Sequence, residues 1–209
     1  MDGGVNIQEY TMRIKSLTDI MPGSGESIPG IIDSDVKYDE LGLPYMNAKT
    51  MKGHLREAME QILAVTGDRF AGITADSLLG GSDLAGDSRI AKIRVSDMRL
   101  SEAVRETIRN AEKAGSVTKE EILDSLTQVY ASTKISEKTG TAEDHTLRKY
   151  RMLKKGLIFE AGIAAENLSS KEAELLELSV KAIQHIGTLK SKGKGNVLCT
   201  LDKKGGVQA

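Results

Sequence analysis

The apolar residues of this 209-residue chain switch repeatedly between two spacings, and the order of the switches restricts the fold. Met51, Leu55, Met59 and Ile62 recur at helical spacing and predict a helix from about Ala48 to Val65, ended by Gly67. Before it, Tyr10–Ile20 reads as a strand with Met12, Ile14 and Leu17 toward the core. Ile31–Tyr38 and Leu43–Met46 read as a hairpin-like excursion around Gly42. After the helix, Ile90–Met98 alternates as a strand. Residues 101–131 read as two helices broken at Gly115. Val104, Ile108 and Ala111 mark the first; Thr118 and Glu121 form a capping box for the second, with Ile122, Leu126 and Val129 on one face. Residues 132–156 are polar and basic with little periodicity. Leu157–Ile163 is a strand, Ser169 and Glu172 cap a helix to about Ile186, and Asn196–Leu201 closes the series after a Lys/Gly loop.

That order fits one α+β domain over 1–209 with a ferredoxin-like, RRM-like core: an antiparallel sheet with helices on one face. The uneven part is the polar stretch at about 99–156, partly helical and basic, read as a large insertion.

Composition narrows the function. Trp is absent, with two Phe and five Tyr, which leaves little for stacking bases on aromatic rings. One cysteine, Cys199, rules out an internal disulfide and a multi-cysteine zinc site. His54, His145 and His185 show no ligand spacing. No run approaches membrane-spanning length, so a cytoplasmic protein without membrane contact is expected. Net charge is −1, yet residues 134–156 hold seven Lys/Arg against three acids and residues 187–209 five Lys against one Asp. Such segregation permits a basic groove on a neutral molecule; the alternative is a set of solvated faces.

The stretch Ile31–Arg56 concentrates the chemistry. Asp33 and Asp35 precede a turn at Leu41-Gly42-Leu43-Pro44 and a helix opening with Lys49, Thr50, Lys52, His54 and Arg56. A cationic helix start with free N–H groups attracts a phosphate chain, and a nearby carboxylate pair suits a divalent metal. Lys52 and Arg56 stand one turn apart and share a face, with His54 off it. Asp33 and Asp35 also fit turn acids that cap local N–H groups.

These residues carry a family resemblance. Gly30–Tyr45, with G-I-I-D-S-D-V and G-L-P-Y, resembles the aspartate loop and hairpin of the RAMP superfamily of CRISPR–Cas proteins. K-T-M-K-G-H-L-R (Lys49–Arg56) resembles its S-S-L-K-G-x-x-R helix start, with Lys49 and Thr50 in place of serines. L-L-G-G-S (Leu78–Ser82) with Arg89–Asp97, the segment Lys134–Phe159, and the tail Ile186–Val197 resemble its loop and strand, its thumb region and its glycine-rich loop. The chain is most similar to the repeated backbone subunit of type III RNA-targeting effector complexes.

The resemblance implies an antiviral role in which copies stack head to tail along a guide (CRISPR) RNA, beside other effector subunits, and a thumb displaces a nucleotide of the guide–target duplex. It implies an endoribonuclease in which Asp33, with Mg²⁺ or another divalent cation and with Asp35 behind it, promotes attack by the target's own 2′-hydroxyl. It implies RNA-binding roles for Lys49, Thr50, Lys52, Arg56, Lys138, His145, Arg148, Lys190, Ser191, Lys192 and Lys194. The alternative is a scaffold whose partner cleaves. A guide-processing nuclease of the same superfamily fits less well, because no histidine lies in the early loop. A small-molecule-binding domain would not need the clustered Lys/Arg.

Overall fold

A computed structural model of the chain describes residues 6–81, 91–133, 135, 140–141 and 146–204. In chain order the elements are β1 (Ile7–Ser16), β2 (Lys37–Tyr38), β3 (Pro44–Tyr45), α1 (Ala48–Val65), α2 (Ala75–Leu79), β4 (Ile93–Val95), β5 (Arg99–Leu100), α3 (Glu102–Lys113), α4 (Lys119–Leu126), β6 (Thr127–Ser132), β7 (Arg148–Leu153), β8 (Ile158–Glu166), α5 (Ser170–Ala182) and β9 (Val197–Lys203).

The main sheet is antiparallel in the order β4-β8-β1-β9, with β5 also paired to β8. This is the strand order of a ferredoxin-like core, and α1 and α5 pack against each other over one face. The alternation of β1 explains the layering: Tyr10, Met12, Ile14 and Ser16 are buried, whereas Arg13 and Lys15 are exposed. Phe159, Ala161, Ile163 and Ala165 of β8 and Val197 and Cys199 of β9 face the same core. Against them lie Met51, Leu55 and Met59 of α1 and Leu175, Leu176 and Val180 of α5. Each fully buried Met, Leu, Ile or Phe contributes about 1.5–3 kcal/mol of transfer free energy.

Leu17, expected in the core, is 50% exposed. The two-residue period of β1 places odd positions on the opposite face, so Met12 and Ile14 turn inward and Leu17 does not. That open face carries Arg13 bridging Glu160 (2.9 Å) and Asp202 (2.5 Å), and no aromatic ring lies among its strand residues. An RRM stacks bases on aromatics there; this sheet lacks them.

The expected insertion begins after Leu100, because Arg99 and Leu100 still pair with β8. The first helix, α3, buries no residue. It is tethered instead by Arg105, whose Nη1 lies 2.7 Å from buried Asp39. The second, α4, has the expected Thr118/Glu121 capping box but stops at Leu126. Thr127 to Ser132 then extends as β6, with Val129 exposed. Its Val and Tyr favour strand.

The polar, basic stretch 132–156, read as having little periodicity, contains β7, which pairs with β6 from Thr127↔Leu153 to Ser132↔Arg148. Met152 and Leu153 are fully buried. Basic residues at the start of β7 hid this strand, since only its last two positions reach the core. Gly42, at φ +78°, lies where a Cβ would meet the Lys119 carbonyl oxygen at 2.3 Å, so the β2–β3 turn and the start of α4 approach backbone to backbone. No helix among the described residues is long and apolar enough to cross a membrane.

Deleting 134–155 removes β7 and its two buried side chains, so the variant is expected to lose cooperative unfolding. Leu153→Ala, which truncates one of those two side chains, is expected to keep a single transition but to cost about 2–5 kcal/mol. Circular dichroism melts of the two variants check this.

Candidate nucleic-acid interface

The aspartate loop is bonded to the β6–β7 hairpin. The Asp33 N–H donates to the Lys149 carbonyl (2.8 Å), the Lys149 N–H donates back to Asp33 Oδ2 (2.7 Å), and the Arg151 N–H donates to the Ser34 carbonyl (2.9 Å). Ser34 and Tyr150 form a parallel bridge, so the loop adds to the edge of β7 as a short strand. Arg148 Nη1 lies 3.2 Å from Asp33 Oδ1. Both carboxylate oxygens are therefore engaged, while the residue stays exposed. The backbone N–H of Lys149 first, and the Arg148 guanidinium after it, hold the Asp33 carboxyl below the usual carboxylate range.

Asp35 is placed differently. It is buried, its Oδ1 accepts the Val36 N–H (2.8 Å), and Arg151 Nε lies 3.0 Å from the same oxygen. The Arg151 contact is an ion pair without hydrogen-bond alignment. Arg151 also reaches Asp124 (3.0 Å) and Thr127 (3.3 Å), joining loop, α4 and hairpin. Buried and paired, Asp35 orients Arg151 and the loop behind Asp33. Arg151 was not singled out in the sequence, where it is one of many cations; only its burial distinguishes it.

The glycine-rich loop lies against the other strand of the hairpin. Lys192 Nζ donates to Ser132 Oγ (2.8 Å), and Lys194 Nζ lies 2.8 Å from Asp19 and 5.6 Å from the centroid of the Tyr130 ring. The Gly195 N–H donates to the Asp19 carbonyl, and the Thr188 N–H to the Met21 carbonyl. Gly187, at φ +83°, lies where a Cβ would fall 1.9 Å from the Met21 carbonyl oxygen, so any side chain would push these loops apart. Lys190 and Ser191 are exposed in a 3₁₀ turn (Lys190–Lys192). The hairpin thus has Asp33 beside Arg148 at β7, and Lys192 and Lys194 against β6.

The start of α1 is a weaker phosphate site than its sequence implies. Asn47 makes no side-chain cap, and Asp97 Oδ1 accepts the Ala48 N–H at 2.9 Å. A carboxylate from the β4–β5 connection therefore occupies part of the helix terminus and opposes an incoming anion. Asp97 closes the segment Arg89–Asp97 in sequence, and nothing local to α1 announces it. Lys49 is exposed and Thr50 and Lys52 are half-buried; none makes an ion pair or side-chain hydrogen bond among the described residues. Arg56 is committed inward. It is paired with Asp76, donates to the Gly80 carbonyl, and lies 4.0 Å from Glu60. Lys52 and Arg56 therefore do not act as the expected exposed pair.

His54 shares a polar cleft with Glu57, Gln61, His185 and Lys190, which brings α1 next to the glycine-rich loop. Burial first, and the Lys190 cation after it, push the His54 pKa down, so His54 is neutral near pH 7. Lys138 and His145 lie outside the described residues. Burial pushes the Cys199 thiol up to about 12, which removes it as a nucleophile.

Among the described residues no group of three His, Cys, Asp or Glu is placed to hold a cation. Asp33 offers one carboxylate with both oxygens occupied and a guanidinium beside it. The described residues do not make a protein-built metal centre.

Two outcomes follow. Arg56→Ala removes a carbonyl hydrogen bond and an ion pair, and is expected to cost about 1–2 kcal/mol in urea unfolding, so it reports on folding rather than RNA. For Asp33, the depressed folded value means that its contribution to stability is present above the ordinary carboxylate range near 3.9 and is lost as pH falls through the lower folded value. Carboxyl NMR titration is expected to give a midpoint below that range, moving up toward it in Arg148→Ala.

In fold, the chain superposes on a chain of the type III-B Cmr-beta complex bound to cognate target RNA, with TM-score 0.69, 12% identity, and 92% of this chain and 96% of that one covered. It also superposes on type III-B Cmr-beta in the apo state (TM-score 0.66, 14% identity, 92% and 96% covered). A third match is oligomeric Cmr4 from Pyrococcus furiosus (TM-score 0.53, 14% identity, 96% and 100% covered). No curated protein sequence matches the chain. At these identities the three likenesses concern fold alone. The model of the RAMP superfamily, however, matches residues 13–197 in sequence, from the centre of β1 to the start of β9. With the aspartate loop, hairpin and glycine-rich loop all inside that span, the chain belongs to the RAMP superfamily.

Proposed function

We propose that this chain is the guide-RNA-binding backbone subunit of a type III-like CRISPR effector complex, and that it cleaves target RNA. Copies stack head to tail along the guide in the cytoplasm, next to other effector subunits, as an open filament whose length the guide sets. The fold shared with Cmr-beta and Cmr4 chains supports the reading. So does the basic edge formed by Arg148, Lys190, Lys192 and Lys194.

The observation that carries the cleavage reading is Asp33: an exposed, ionised carboxylate fixed by two backbone hydrogen bonds to the hairpin strand. The hairpin acts as the thumb that displaces a target nucleotide, and the bonded loop carries Asp33 to the freed backbone. RNA supplies the nucleophile. The 2′-oxygen attacks the adjacent phosphorus, the P–O5′ bond breaks, the 2′-OH proton passes to solvent water, and the 5′-oxygen takes a proton from water. Asp33 accepts a hydrogen bond from the 2′-OH and holds it in line. Its lowered pKa makes it a poor proton store, so orientation and electrostatics are its role. Mg²⁺ or another divalent cation, if bound, would be held by Asp33 and would supply charge neutralisation at the phosphate. Asp35 supports Asp33 through Arg151.

The scaffold reading has one observation in its favour: both oxygens of Asp33 are already engaged, as in a structural pin. Asp33→Asn in the assembled complex separates the two. Under the cleavage reading the single-turnover rate drops by about 10²-fold or more. Target affinity holds, and wild-type products carry 2′,3′-cyclic phosphate and 5′-hydroxyl ends. Wild-type cutting by Asp33→Asn would make the chain a scaffold.

A further inference from the structure

Resting on the cleavage reading, we infer that Arg148 is a second catalytic residue, whose guanidinium neutralises the non-bridging oxygens of the scissile phosphate.

The reason begins with a repulsion. Attack by the 2′-oxygen builds negative charge on a phosphate held beside Asp33, which is itself anionic. A carboxylate there needs a cation within reach of the same phosphate, because the 2′-oxygen and the phosphorus are neighbours on one ribose. Arg148 Nη1 stands 3.2 Å from Asp33 Oδ1. A guanidinium has five N–H donors in a planar fork, and the Asp33 contact uses only part of it. Its side chain is 62% exposed, so the remaining donors are open to solvent.

Among the described cations of the hairpin, Lys149 alternates to the face of β7 opposite Arg148, and the others are spent or lie on its far strand. Arg151 is buried among Asp35, Asp124 and Thr127. Lys154 Nζ donates to the Asp124 (3.0 Å) and Ser125 (2.8 Å) carbonyls near the end of α4. Lys192 and Lys194 are held on the β6 side by Ser132 and Asp19. Arg148 combines nearness to Asp33 with spare donors, and arginine matches phosphate geometry bidentately where lysine supplies a point charge.

In the free chain Arg148 leans on Asp33. When target RNA arrives, the phosphate takes over part of the fork while Asp33 keeps its backbone bond to Lys149. The bond changes stay as written above: the 2′-O–P bond forms, P–O5′ breaks, and Arg148 keeps all its protons.

The test uses the assembled complex with guide and a single-cut target, comparing wild type, Arg148→Ala, Arg148→Lys and Asp33→Asn. Arg148→Ala is expected to slow single-turnover cleavage by about 10²–10³-fold, with target affinity nearly unchanged and Arg148→Lys recovering part of the rate. A phosphorothioate at a non-bridging position of the cut site should slow wild type, while Arg148→Ala should show little further thio effect. A purely structural role would leave that thio effect intact in Arg148→Ala, which would overturn the assignment. Asp33→Asn dead with Arg148→Ala at the wild-type rate overturns the Arg148 role alone. Asp33→Asn cutting at the wild-type rate removes the cleavage reading and this inference with it.

Discussion

The reciprocal backbone and side-chain bonds between Asp33 and Lys149 are what the site depends on. They join a loop near the N-terminus to a strand more than a hundred residues later, so the position of Asp33 is set by the hairpin rather than by its own loop. Buried Asp35 and Arg151 secure the joint from behind, and Asp124 and Thr127 tie it to α4. An ion pair this buried costs desolvation, which its remaining hydrogen bonds must offset. Its contribution is better understood as fixing one register between loop and strand. A carboxylate meant to align a 2′-hydroxyl must be held within a fraction of an ångström, and such a joint supplies that.

The open face of the main sheet is not built to stack bases. The open face of β1, β8 and β9 carries the ionic group Glu160–Arg13–Asp202 where aromatic rings would be needed to stack bases. Under the proposed function, RNA contacts fall to the loops beyond the sheet: the aspartate loop, the hairpin and the glycine-rich loop. Under that proposal, cations exposed there would bind phosphate without regard to sequence, which suits a subunit repeated along a guide. Cations that look equally available in sequence, Arg56 and Arg151, are instead structural because a carboxylate lies opposite each.

Much of the core was legible. Helix α1 has the bounds that its Met/Leu/Ile stripe implies, and the capping boxes at Thr118 and Ser169 open α4 and α5 as read. Local chemistry determines both features. What stayed hidden is long-range. Strand β7 presents a basic face, and its burial comes only from the elements it meets, so periodicity in Arg148–Leu153 is too short to detect. Asp97 caps α1 from the β4–β5 connection, and Asp39 holds α3 through Arg105; neither partner is close in sequence. At the site, Asp33 and Arg148 were both named, but their pairing was not, since nothing in the chain order brings residue 33 to residue 148.

The most direct measurement is where target RNA lies relative to this joint. Cys199 is buried, so an introduced surface thiol can be labelled selectively. Lys149→Cys, carrying a short photo-crosslinker, places a probe next to Asp33 without removing either catalytic candidate. In the assembled complex, crosslinks are expected at target nucleotides flanking each displaced position, spaced regularly along the duplex, once per subunit. Crosslinks to guide alone, or scattered along the target without a period, would contradict a scissile phosphate held between Asp33 and Arg148.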